Sequence, residues 1–327
     1  MTEVATLDGV VDANELGTTL MHEHVFVLSP EMQTAYPGFE GWDPERGVAD
    51  AREKLTALKQ RGVDTIVDLS VVGTGRDVAL VARAAEGTGL RIVVATGIYT
   101  YKDLPKAFYF RGPGTELGGD DELMISLFTR DIEEGIQGTT IKAGILKCAT
   151  DEPGLTPDVE RVLRAVAAAH KRTGVPISTH THATTERGLD QQRIFEQEGV
   201  DLSRVVIGHC GDTTDCDYLE KLVSRGSYIG MDRFGIDIQL PFEDRVETVA
   251  EMCRRGHAGR LVLSHDAACF IDWLPQAAIP VALPNWHYHH IHDDVLPALR
   301  ERGVSDQQID QMLVVNPREI FSRQASY

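Results

Sequence analysis

The chain has 327 residues, 42% hydrophobic and 25% charged, a globular composition with apolar material for one large α/β domain or two ordinary ones. Its formal net charge of −18 comes without a basic run, which speaks against a nucleic-acid partner. No stretch approaches the ~20 apolar residues that span a bilayer, residues 1–8 carry neither a basic nor an apolar leader segment, and the five cysteines are scattered, so no membrane partner, reduced thiols and a cytoplasmic location are expected.

Eight β-branched-rich apolar runs predict strands over 16–26, 64–71, 91–99, 140–149, 176–182, 205–210, 228–233 and 261–267. Segments of helical period lie between them, at 48–61, 76–86, 122–134, 157–172, 186–198, 217–225 and 245–255. Alternating strands and helices argue a parallel sheet. Eight such units argue a (β/α)8 TIM barrel, one domain over 1–327, with its chemistry at the C-terminal strand ends. A doubly wound open sheet is the alternative, but no Gly-rich phosphate loop accompanies it. Two long aperiodic stretches, 102–121 and 269–286, are expected over the barrel mouth. The second carries Cys269, Phe270, Trp273 and Trp286.

The C-terminal ends of these runs hold a set of metal-ligating residues. In the first, Met21-His22-Glu23-His24, a strand's period of two turns both imidazoles to one face and Glu23 to the other, a pair that suits a transition metal. The fourth run ends in Leu146-Lys147-Cys148. A lysine closing an apolar strand loses its charge on burial, and a neutral amine can take up carbon dioxide as a carbamate. Lys142, an odd number of positions away, is expected to snorkel to solvent. The fifth run offers His180 and, by periodicity equally, His182. The sixth offers His209 and the eighth Asp266, with His265 turned away as a structural residue. Cys148 and Cys210 are expected in the core, whereas Cys269 could line the pocket. The His-rich stretch 287–292 follows the last strand and reads as a loop.

Met21-His22-Glu23-His24, Lys147, Thr179-His180-Thr181-His182, Ile207-Gly208-His209 and Ser264-His265-Asp266 together resemble the phosphotriesterase-related branch of the amidohydrolase superfamily, in the same order and over nearly the whole chain. The resemblance implies a binuclear site. One divalent ion (Zn, Co, Mn or Fe) would be held by His22, His24 and Asp266, and a second by His180 and His209. Carboxylated Lys147 and a hydroxide would bridge them. It also implies a homodimer. Within the branch the sequence is most similar to the phosphotriesterase-like lactonases. Gly97-Ile98-Tyr99 places a phenol at the third strand end, Met231-Asp232-Arg233 an arginine at the seventh. The segment between Arg233 and Leu261 is short, and the loop after the eighth strand is long and apolar.

The expectation is therefore a lactonase opening N-acyl homoserine or other alkyl-substituted lactones, a quorum-quenching type of activity, with slow organophosphate hydrolysis beside it. Asp266 would move the proton, Tyr99 would polarise the carbonyl, and Arg233, Cys269, Phe270 and Trp273 would contact substrate. Competing expectations are a primary phosphotriesterase or carboxylesterase on the same site and a mononuclear deaminase-type site, which would not need Lys147. A non-enzymatic scaffold with structural metals is disfavoured, since structural zinc sites are closed and favour cysteine.

Overall fold

In the fourth strand, Ile145–Thr150, side chains alternate between two cores. Ile145 joins a cluster inside the sheet cylinder with Val67, Val93, Ala95, Val206 and Val262. Leu146 and Cys148 join a larger cluster between the sheet and its surrounding helices. Lys147, two residues beyond Ile145, therefore emerges on the inner side at the mouth. The computed structural model, which describes residues 2–116, 118–322 and 326–327, repeats this division around a nine-segment parallel sheet. The first strand is Thr19–Val27 and the second Thr65–Asp68. Arg91–Gly97, Ile145–Thr150, Ile177–Thr181, Val205–Ile207 and Tyr228–Met231 follow. Leu261–Leu263 and Ala268–Ile271 are two halves of an interrupted eighth strand.

The sheet closes where the eighth strand meets the first. Asp266 donates its N–H to the His22 carbonyl at 3.0 Å, His24 donates to the Ala267 carbonyl at 2.9 Å, and Ala268–Ile271 pairs in parallel with the first strand. This is the (β/α)8 barrel that the alternation predicts. A register shift between Leu20 and Glu23 acts as a bulge. It lets Met21 join the interior cluster while His22 and His24 still share the pocket face.

Two of the long helices show their local chemistry plainly. Pro44–Gln60 starts on Asp43, whose side chain accepts from the Arg46 N–H, has proline in its first turn, and buries Val48, Ala51, Leu55 and Leu58 along one stripe. Pro157–Thr173 starts on Thr156 and stops at Gly174, which adopts a left-handed φ of 79°.

Differences from the sequence reading sit at edges. The fourth strand begins at Ile145 rather than 140, and Lys142 is exposed outside it. An N-terminal hairpin, Glu3–Thr6 with Gly9–Asp12, sends Val4 into the interior cluster at the end where Phe321 also packs. The 102–121 stretch holds a short helix, Lys106–Phe110, and buries Leu104 and Phe108 against the outer core. It lines no part of the mouth pocket among the described residues, and residue 117 lies outside those described. All five cysteines are free and buried. No described helix is long and apolar enough to cross a membrane.

Candidate metal centre

Seven strand ends deliver His22, His24, Tyr99, Lys147, His180, His209, Arg233 and Asp266 to one pocket of about 330 Å³. The Asp266 carboxylate is its hub. Its Oδ1 lies 3.2 Å from His24 Nε2 and 3.4 Å from His22 Nε2, and its Oδ2 lies 3.7 Å from His209 Nε2. His22, His24 and Asp266 place their ligand atoms within 4.8 Å of one another. Lys147 Nζ stands 2.9 Å from His22 Nε2. The ring centroids of His180 and His209 are 4.5 Å apart.

Asp232 orients two of these rings from behind. Its Oδ2 is 2.8 Å from His22 Nδ1 and its Oδ1 is 3.0 Å from His209 Nδ1. Each Nδ1–H bond leaves an Nε2 lone pair facing the pocket, the arrangement by which a carboxylate fixes the tautomer of a metal-binding histidine. His180 is held in the same way, through Nε2, by Asp151, which turns its Nδ1 toward the Tyr99 hydroxyl at 3.4 Å. Both Asp232 and His209 lie where strand geometry has ended. His209 has a left-handed φ of 58° and its N–H bonds to Asp232 Oδ1 at 2.7 Å. Alternation from Arg233 therefore could not reveal Asp232.

Burial sets the protonation states. Desolvation pushes His22 and His209 well below the usual imidazole range and His180 to about 4, so all three are neutral at pH 7, the form that ligates metal. Desolvation also brings Lys147 down to about 8, against the attraction of Asp266 and Asp232. That leaves an appreciable neutral fraction able to form a carbamate. Burial would raise Asp266, but the His22 imidazole, the His24 bond and the Arg233 guanidinium hold it well below the carboxylate range. The donor set thus fits a pair of divalent ions: buried neutral imidazoles, one ionised carboxylate and a lysine amine near neutrality.

The structure corrects two expected contacts. Between the halves of the eighth strand Asp266 takes a left-handed φ of 54°, and beyond it the chain runs as a strand over Ala268–Ile271 where a loop is expected. Ala268 and Ile271 line the pocket, while Cys269 and Phe270 face outward. The Cys269 thiol meets the Tyr288 hydroxyl at 3.4 Å, and Phe270 packs on Trp42 at 4.7 Å. Both line a second cavity of about 320 Å³ behind the strand. Arg233 does line the pocket, as expected of a substrate contact, and its Nε also donates to Asp266 Oδ2 at 3.0 Å and its Nη1 to Asp212 Oδ2 at 2.9 Å.

Trp273 reaches the pocket and packs against Tyr99 at 5.7 Å. Tyr101 joins it, with its hydroxyl bonded to that of Tyr99 and its ring on His180; no strand period pointed to it, because it lies past the third strand's end. His182 bonds to Thr185 at 2.9 Å and does not line the pocket. Nor does any histidine of 287–292, although Trp286 does.

The neutral histidines carry a pH consequence. His180 titrates near 4 and His265 near 3 in the folded chain because burial disfavours their charged forms, against about 6.5 when unfolded. Below that value the unfolded state binds more protons, so stability falls as pH falls. Metal-free protein is expected to lose thermal stability progressively from about pH 6.5 toward pH 4. A melting temperature that stays level across that window would contradict buried neutral imidazoles.

A model of the phosphotriesterase family matches residues 2–321. A "phosphotriesterase homology protein" of Mycobacterium tuberculosis is 63% identical over 328 residues, 100% of each chain. An "aryldialkylphosphatase" of Saccharolobus solfataricus is 41% identical over 315 residues, 95% of this chain and 97% of its own. A solved structure of the phosphotriesterase from Mycobacterium tuberculosis, also 63% identical, superposes with a TM-score of 0.96 over 99% of this chain and 100% of that one.

Proposed function

This chain belongs to the phosphotriesterase family, and from that premise we propose that it is a metal-dependent lactonase acting on lactones with an apolar tail, with phosphotriester hydrolysis as a side activity. The observation that carries the substrate class is the pocket's mixed lining. Polar groups, Tyr99, Tyr101 and Arg233, stand in it beside apolar ones, Ile236, Ile238, Trp273, Leu274 and Leu283. A lactone ring bonded to the polar groups would leave its tail to the apolar ones.

His22, His24 and Asp266 would hold one divalent ion and His180 and His209 the other, with Lys147 between them as a carbamate. Such a pair, when bound, supplies Lewis acidity and a water of lowered pKa. The protein's own groups do the rest. Tyr99, kept protonated because burial raises its phenol well above the usual range, donates a hydrogen bond to the lactone carbonyl oxygen. Asp266 is ionised and accepts the proton of the attacking water as the new C–O bond forms. It returns that proton to the ring oxygen as the ring C–O bond breaks, and the product is a hydroxy acid. Arg233 stabilises the carboxylate form of Asp266 between transfers. A tetrahedral phosphotriester fits the same groups, in keeping with the names of the relatives.

The test is a lactone series of increasing tail length set beside an organophosphate, in one buffer with one metal. Each buried methylene is worth ~0.8 kcal/mol, roughly fourfold in affinity, so kcat/KM is expected to rise with tail length and then level off. Trp273→Ala should flatten that rise more than it harms a tail-less lactone. A higher kcat/KM for the phosphotriester would reverse the order of the two activities.

A further inference from the structure

Between the halves of the eighth strand, residues 265–267 have no sheet partner of the ordinary kind, yet every backbone polar group in them is satisfied. The His265 and Ala267 N–H groups, one on each side of Asp266, both donate to the buried Glu23 carboxylate, each at 3.0 Å, and His265 Nδ1 meets it at 2.7 Å. The His265 and Asp266 carbonyls both accept from Trp286 Nε1 at 3.1 Å. The Asp266 N–H and the Ala267 carbonyl bond to the first strand at His22 and His24. Such complete pairing around a non-glycine residue at φ 54° is what over-determines a conformation that L residues seldom adopt.

We infer that Glu23 and Trp286 are positioning residues of the metal centre: they clamp the backbone on both sides of Asp266 and so aim its carboxylate at His22, His24 and His209. Glu23, the residue between two proposed ligands, acts from the outer side of the strand. Trp286 gives the His-rich segment that follows it a purpose other than metal binding. Two more contacts seat that segment: Tyr288 donates its hydroxyl to the His24 carbonyl, and Ile291 its N–H to His265 Nε2. The inference rests on the metal-site part of the proposed function and not on its substrate.

Glu23→Gln sets an amide N–H₂ against one of the backbone donors. Trp286→Phe keeps an aromatic ring and removes the N–H together with the rest of the five-membered ring. The test strips metal with a chelator and titrates each variant with Co²⁺, followed by visible absorption, beside far-UV circular dichroism and kcat and KM. Loss of an outer-shell partner typically costs 10–100-fold in metal affinity or activity. Both variants are expected to bind Co²⁺ on the order of 10–100-fold more weakly, with kcat lowered more than KM is raised, and Trp286→Phe to keep the native dichroism. His287→Ala, outside the clamp, should titrate as the parent does. If Glu23→Gln does not fold, Trp286→Phe decides alone. Parental Co²⁺ affinity and kcat in folded Trp286→Phe would overturn the inference, as would a parent chain that takes up no Co²⁺. A parent that binds Co²⁺ and opens no lactone would remove the substrate proposal while leaving the clamp standing.

Discussion

Lys147→Ala is expected to lose bound metal and, with it, activity by at least on the order of 10²-fold, the upper end of what even an outer-shell partner costs. The side chain is only 1% exposed, sits on the fourth strand's inner face, and has its amine 2.9 Å from His22 Nε2. A short carboxylate such as acetate or propionate should restore part of the activity by occupying the space of the carbamate oxygens. Lys147→Arg should fail as completely, because a guanidinium stays charged in a site that has already lowered the lysine to about 8 and cannot be carboxylated. Metal analysis and kcat/KM, with and without added carboxylate, decide the matter. An Arg variant with normal metal content and activity would reduce Lys147 to a core lysine.

Asp266→Asn should cost 10²–10⁴-fold in kcat, the usual worth of a positioned acid–base group, while the barrel still folds. The amide keeps the shape of the side chain but removes the anion that His22, His24 and Arg233 surround. It also leaves the Arg233 charge facing only Asp212 and Gln239 at the pocket. The wild-type carboxylate is held well below 3.8. Its contribution to stability is therefore complete above the unfolded value of about 3.9 and lost as pH falls through the folded one. The variant should show a smaller fall in stability than wild type below pH ~4. A variant with unchanged kcat would move the proton-transfer role to another group.

Some of the centre was legible without coordinates because strand periodicity is a local property. His22 and His24 share a face by spacing of two, and Lys147 shares the inner face with Ile145 by the same spacing; Lys142 is exposed because it lies before the strand begins and not because of the odd step. Periodicity stops informing where strands stop. Asp232, Asp151 and Tyr101 all follow a strand's last residue, at Met231, Thr150 and Gly97, and all three meet the proposed ligands or Tyr99 by contacts 2 to 210 positions apart in sequence. Cys269 and Phe270 are expected in a loop over the mouth, but Ala268–Ile271 continues as a strand paired with the first, and Ala268 and Ile271 are the residues of that strand that enter the pocket.

The sequence by itself determined the alternation of strands and helices, hence the barrel, and the identity and side of the groups at its mouth, because side-chain period and burial preference act over a few neighbouring residues. It also carried the family, through motifs whose order survives along the chain. The tertiary structure alone decided which carboxylates stand behind the imidazoles and how the eighth strand closes on the first. It also decided which apolar side chains reach the pocket beside its polar groups. Those features depend on hydrogen bonds and packing between segments as far apart as Glu23 and His265, and no local pattern constrains how two such distant segments meet.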